Sequence, residues 1–293
     1  MTTPLLYTSG HILAAVDESA EYSRSVAEFA AWAARRTGAA LQFVHVIDRH
    51  PEIAPQIDLS GNLGFGAQDY LLQELAAVDE QRSKLAMERG RLLLQAVQRI
   101  AAEAGATATD ARQRHGELVD TLTELEQDVR LFVLGKRGEH ANFAKGHLGS
   151  NLERVVRAVH RPVLVASRAY RPVQRFLIAF DGSASTRKCV EVVCASPLLK
   201  ESSCELLMVG PESSTQAEHL AWATERLQAG GFEPTVHLLN GSADSLIVET
   251  AQSRAIDLIV MGAYGHSRIR QLMLGSTTTH VLRSCQIPML LLR

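Results

Sequence analysis

Arg175-Phe176-Leu177-Ile178-Ala179-Phe180-Asp181-Gly182-Ser183 reads as a buried strand running into a turn. Its apolar residues follow one another without alternation and stop at an acid, which suits a strand covered on both faces of a parallel sheet. The same pattern stands at His11-Ile12-Leu13-Ala14-Ala15-Val16-Asp17-Glu18-Ser19. Further on, Leu131-Phe132-Val133-Leu134-Gly135-Lys136-Arg137-Gly138 matches Leu258-Ile259-Val260-Met261-Gly262-Ala263-Tyr264-Gly265. Each is followed by Leu-Gly-Ser, at Leu148-Gly149-Ser150 and Leu274-Gly275-Ser276, and then by a proline before an apolar run, at Pro162 and Pro288. Landmarks recurring in one order make a tandem duplication. The join falls near Ser167 to Val173, which predicts domains over 1–168 and 174–293.

Strand and helix patterns alternate within each copy. In the second, strands are expected near 176–181, 204–209, 234–239, 257–261 and 288–292, with helices at 185–196, 215–229, 243–254 and 276–284. In the first, strands are expected near 11–16, 40–46, 107–112, 130–134 and 163–166, with helices at 19–36, 69–104, 117–127 and 150–159. The fold class is therefore α/β: two tandem doubly wound domains, each with a five-stranded parallel sheet. The first copy has an extra Pro- and Gly-rich stretch over 48–67, a flap or a mobile segment by its length.

Composition narrows the function. Hydrophobic residues make up 46% of the 293, which provides for a core and excludes disorder as the main state. Lys plus Arg is 30 against 32 Asp plus Glu, so the chain lacks the basic field of a dedicated nucleic-acid binder. No run approaches the ~20 apolar residues of a membrane span, and Met1 to Gly10 does not read as a signal peptide. Cys189, Cys194, Cys204 and Cys285 lack paired spacing and read as small core residues in a reducing compartment. The expected location is the cytoplasm.

Ligands of doubly wound sheets bind beyond the carboxyl ends of the strands. Asp181, Gly262, Gly265 and Gly275-Ser276 all fall at that edge in the second copy. A helix opening at Ser276 offers free N–H groups and a positive dipole end to a phosphate. The glycines let backbone approach it, and the hydroxyls of Ser276, Thr277 and Thr278 add donors. His266, Arg268 and Arg270 could supply counter-charge. Glycine turns and serine caps also occur in sheets without ligands, and Asp17 and Asp181 read equally as caps.

Gly262-x-x-Gly265, nine residues, then Gly275-Ser276 resembles the ATP-binding pattern of the universal stress protein family. The acidic end of the first strand, the Gly241 turn and the Pro288 strand extend the resemblance over nearly the whole chain. It implies that Asp181 contacts adenosine, Val209 lines the adenine pocket, Gly262 and Gly265 meet ribose and phosphates, and Gly275, Ser276 and Thr277 hold the phosphate chain. In the first copy it implies a site of Asp17, Val46, Gly135, Gly138, Gly149 and Ser150. That copy departs from the pattern, with ten residues between Gly138 and Gly149 and Asn151 in place of Thr277. Lys136, Arg137, Lys145 and His147 lie in its loop. The cofactor implied is ATP, with or without Mg²⁺.

The chain lacks a Walker P-loop, a nucleophile elbow and a zinc-binding His-Glu-x-x-His. No nucleophile and base pair assembles, so dedicated catalysis is not expected; slow ATP hydrolysis needs only positioning and charge. The resemblance implies a stress-response regulator or sensor that binds an adenine nucleotide. The alternatives are a ligand-free interaction scaffold and an ATP-dependent enzyme using 48–67 as a lid. Single-copy members of the family commonly dimerise through their last strands, so the two copies are expected to form an intramolecular pseudo-dimer, which can itself pair.

Overall fold

In a computed structural model, the described residues are 8–47, 65–136, 150–263 and 274–293. The stretch 48–67 therefore lies mostly outside them. The first half runs β1 (His11–Ala15), α1 (Ala20–Thr37), β2 (Leu41–Ile47), α2 (Phe65–Glu103), β3 (Thr109–His115), α3 (Leu118–Leu125), β4 (Val129–Gly135), α4 (Ser150–Ala158) and β5 (Val163–Ala166). The second runs β6 (Arg175–Ala179), α5 (Ala184–Ala195), β7 (Ser203–Val209), α6 (Ser214–Ala229), β8 (Thr235–Leu239), α7 (Ala243–Ser253), β9 (Leu258–Gly262), α8 (Ser276–Ser284) and β10 (Met289–Leu292). Short 3₁₀ turns follow α3 and α5.

These strands form one sheet in the order β3-β2-β1-β4-β5-β10-β9-β6-β7-β8. Pairing is parallel within each half and antiparallel at the join, where Met289, Leu290 and Leu291 stand opposite Val165, Leu164 and Val163. The strands of the two halves therefore run in opposite senses, and their carboxyl ends open on opposite edges of the sheet. One buried cluster continues from Ile12 and Val133 through Leu164 and Leu290 to Phe176 and Val260. A second on the other face joins Phe132 and Val165 to Leu177 and Leu291. The pseudo-dimer expected from the duplication is thus a continuous sheet with shared cores.

The central strands are the apolar runs that the sequence announces. The outermost are not. β3 carries Thr-Asp-Ala-Arg-Gln-Arg-His, half of it exposed, and β8 is likewise largely open to solvent. Both are edges with one neighbour, so burial on two faces does not apply to them.

α1 is rich in alanine, ends on Arg35 and Arg36 against its dipole, and stops at Gly38, whose φ of 64° only glycine adopts cheaply. α2 has 39 residues and spans about 58 Å. Among its described side chains, Leu94, Val97 and Ala101 towards the carboxyl end are buried, whereas residues 73–85 are exposed. Gly90 admits this packing, since a Cβ there would lie 2.2 Å from Gln113 Nε2 and 2.5 Å from His45 Cδ2. Among the described residues no helix is long and apolar enough to cross a membrane.

Cys189, Cys204 and Cys285 are buried, and no disulfide joins the four thiols. Burial pushes Cys204 up to about 12 and raises Cys189 and Cys285 as well, so these thiols stay protonated core groups.

The sheet junction makes the first prediction. Leu164→Asp sets a carboxylate in a fully buried site opposite Leu290. It should cost about 4 kcal/mol or more, measured by urea unfolding, because a buried unpaired charge is among the costliest single changes. A loss under about 1 kcal/mol would mean that the halves do not share this core.

His11 makes the second. Among the described residues its buried Nε2 has no hydrogen-bond partner, and burial lowers the imidazole pKa against the opposing pull of Asp128. A lowered folded-state pKa means that the unfolded chain takes the proton first, so the stability is present above about pH 6.5 and is lost below it. Melting temperature should fall from pH 7 to pH 5, and His11→Gln should fall less; equal slopes would remove His11 as the cause.

Candidate functional site

Asp181 follows β6, Val209 ends β7 and Gly262 ends β9. Since β6 lies between β9 and β7, these residues stand side by side at one carboxyl edge. Gly275 caps α8, and its N–H donates to Ala263 O at 3.0 Å, fastening the start of the helix to the end of β9. Ser276 is exposed and Thr277 half-exposed beside it. The structure thus brings Asp181, Val209, Gly262, Gly275, Ser276 and Thr277 to one edge. Gly265, His266, Arg268 and Arg270 lie outside the described residues.

The local turn explains the Asp-Gly-Ser string. Asp181 Oδ1 accepts from the Ser183 N–H at 2.9 Å and from Thr186 Oγ1 at 2.8 Å. Ser183, not Asp181, is the N-cap of α5, accepting from the Thr186 N–H. Aspartate instead closes the turn that precedes the cap. Gly182 takes φ 77°, and a Cβ there would fall 2.0 Å from His219 Nδ1. In the first half the same turn holds Asp17, whose Oδ1 accepts from the Ser19 N–H at 2.9 Å, but Glu18 replaces the glycine.

Two expectations change. Thr278 is turned inward: it is buried and its hydroxyl donates to Gly262 O at 3.0 Å, so it holds α8 to β9 and is not a ligand donor. Gly262 answers first to packing, since a Cβ would meet Ser185 Oγ at 2.7 Å and Ser185 Cβ at 3.1 Å. The start of α5 presses on the end of β9, and that contact alone calls for glycine. Sequence reasoning missed this polar cluster of Ser183, Ser185 and Thr186 around Asp181, although Ser-x-Ser-Thr after the acid announces it. Beyond it, the Arg187 guanidinium lies 4.3 Å from the Trp222 ring centroid, and Trp222 stacks on Phe180.

In the first half Asp17 follows β1, Val46 lies near the end of β2 and Gly135 ends β4, again on adjacent strands. Ser150 opens α4, while Gly138 and Gly149, with Arg137, Lys145 and His147, lie outside the described residues. Lys136 is drawn elsewhere: its ammonium donates to the Cys285 carbonyl, at the C-cap of α8 in the other half. The third-helix turns correspond as well, with Gly116 at φ 138° and Gly241 at φ 151°.

Gly262→Ala should lower stability by about 1–3 kcal/mol, as overpacking does. Adding Ser185→Ala should recover part of it, because the crowding oxygen is gone. Urea unfolding of the four proteins in this cycle measures the coupling; strictly additive costs would show that Ser185 is not what excludes a side chain.

The sequence profile of the universal stress protein family matches residues 8–167 and 193–293. The universal stress protein Slr1230 of Synechocystis sp. is 36% identical over 286 residues, covering 97% of this chain and 99% of the relative. The universal stress protein MT2052 of Mycobacterium tuberculosis is 25% identical over 249 residues, 76% of this chain and 74% of its own length. The crystal structure of a universal stress protein from Archaeoglobus fulgidus has this fold, with a TM-score of 0.71 over 97% of this chain and 98% of its own, at 20% identity. With the repeated landmarks, the profile over both halves and a relative similar from end to end, the chain belongs to the universal stress protein family.

Proposed function

We propose that this chain binds an adenine nucleotide, ATP by the glycine pattern, at the carboxyl edge of β6, β7 and β9, and acts as a stress-response regulator or sensor. The observation that carries the reading is the convergence on one edge of Asp181, the end of β9 at Gly262 and the opening of α8 at Gly275-Ser276-Thr277. The exposed hydroxyl and free N–H groups at the opening of α8 suit phosphate oxygens. The Asp181 carboxylate, steadied by Ser183 and Thr186, suits the ribose hydroxyls as an acceptor.

The first half offers Asp17, Val46, Gly135 and Ser150 in equivalent places, with Gly138 and Gly149 completing its motif, as a second site on the opposite edge. In this reading the domains are 1–168 and 174–293, and the regulator works in the cytoplasm. A nucleotide that prefers one arrangement of an edge shifts the population toward it and alters what a partner meets there. Hydrolysis is at most slow, with Mg²⁺ as the counter-ion where phosphates are held.

One observation favours the ligand-free scaffold instead. Gly262 and Asp181 both have complete local reasons to be what they are, in the Ser185 contact and the Ser183 turn. Native mass spectrometry of the gently purified chain decides between the two. Adenine nucleotide retained at one or two per chain is expected, with one equivalent lost in Gly275→Val. Gly275 has φ −57°, which valine tolerates, so the variant obstructs the ligand without straining the backbone. A mass that stays free of nucleotide in millimolar Mg-ATP would sink ATP binding and leave the scaffold.

A further inference from the structure

A pocket of about 290 Å³ lies between α1, the end of α2 and Tyr170 of the segment that joins the halves. That is close to the lower end of small-molecule sites, roughly 300 Å³. α1 lines it with Arg24, Glu28, Trp32 and Arg35, which recur at helical spacing along one face. α2 adds Ile100 and Glu103 within its last turn, and Ala104 follows. The joining segment is tied down there: Ser25 Oγ donates to Ser167 O at 2.6 Å, and Tyr170 meets the Phe29 ring edge-on at 4.9 Å.

Trp32 points to an occupant. It is 6% exposed, and its indole N–H has no hydrogen-bond partner among the described residues. A buried tryptophan usually finds one. Among the described residues the unpartnered side-chain atom sealed from solvent is His11 Nε2. The indole N–H is therefore not sealed, and the space that Trp32 borders is this pocket. The Tyr170 hydroxyl is a second donor without a partner among the described residues; burial raises its pKa, so it keeps its proton.

The charges suit both ends of a zwitterion. Arg24 and Glu28 pair with each other along α1 at 3.3 Å. Arg35 and Glu103, on different helices, make neither an ion pair nor a side-chain hydrogen bond among the described residues. The Arg35 stem is nonetheless seated, since a Cβ on Gly105 would lie 3.1 Å from its Cδ. In the second half the corresponding helices close such a gap, where Arg226 of α6 reaches Glu191 of α5 at 2.7 Å. Arginines and glutamates balance in the lining, so it has no net field to favour a polyphosphate.

We propose that this pocket binds a free α-amino acid with a medium-sized apolar side chain. Trp32 and Arg35 stand one turn apart on α1, so the indole N–H and the guanidinium can share its carboxylate, with the Tyr170 hydroxyl as a further donor. Its ammonium lies against Glu103 and Glu28, and its side chain against Ile100 and Ala104. Charge-assisted bonds at both ends select a molecule that carries both signs. No lining residue belongs to either candidate nucleotide edge, so this site does not depend on nucleotide binding. A ligand held between α1, α2 and Tyr170 fastens the joining segment to the first half and stabilises the folded chain.

Titration calorimetry on the full chain compares L-leucine with two fragments of it: 4-methylpentanoate, which lacks the ammonium, and 3-methylbutylamine, which lacks the carboxylate. L-Leucine should bind, and each fragment should bind at least about tenfold more weakly, as the loss of a charge-assisted hydrogen bond implies. Arg35 and Glu103 are exposed, so their variants keep the fold. Arg35→Gln should weaken L-leucine about tenfold while leaving 3-methylbutylamine and retained adenine nucleotide unchanged. Glu103→Gln should weaken L-leucine in the same way and spare 4-methylpentanoate instead. No binding of L-leucine up to its solubility limit, by heat or by a rise in melting temperature, overturns the site without recourse to any variant. Equal affinity for L-leucine and either fragment does the same. Unchanged L-leucine affinity in both variants overturns the roles given to the two charges.

Discussion

Everything in this molecule is arranged about the antiparallel pairing of β5 with β10. Leu164 and Leu290 face each other there inside a core that neither half encloses alone. A strand of four residues is short, and a five-stranded sheet that ended on it would expose an apolar edge. Joining two such edges removes both. Duplication within one chain makes the join intramolecular, so its stability does not depend on protein concentration. The antiparallel sense also sets where ligands can approach: each half keeps its own carboxyl edge, and the two edges open on opposite sides.

That arrangement is legible where the physics is local. A strand buried on both faces must be apolar throughout, and Phe176 to Phe180 or Leu131 to Leu134 cannot easily be anything else. The sequence pattern sets β3 about two residues early because Thr109 to His115 is an edge: one neighbour and one wet face leave no apolar run to read. The pairing of the halves follows from the family resemblance. Its depth, with both cores continuous across the join, emerges only from the packing in three dimensions.

The candidate site divides in the same way. Asp181, Gly262 and Gly275 are legible because strand ends and helix starts carry residue-type demands of their own. What those demands serve is not, since it depends on contacts between elements far apart in sequence. Gly262 yields to Ser185, Thr278 to the Gly262 carbonyl and Lys136 to the end of α8. In each case a residue that reads as a ligand group is recruited by a neighbouring element. The exposed opening of α8 escapes this, and for that reason it, more than the glycines, supports phosphate binding.

Duplication also makes each half a control for the other. Features present in both, such as the Asp-x-Ser turns at Asp17 and Asp181 or the positive-φ Gly116 and Gly241, are demands of the shared fold and say little about what distinguishes the two halves. Features in one copy alone are different in kind. Gly182 against Glu18 reshapes one first turn, and Arg130 against Asp257 turns a backbone clamp into a buried cation. A difference confined to one half, at a position where the other shows that the fold does not require it, marks where the two copies have diverged in their own contacts.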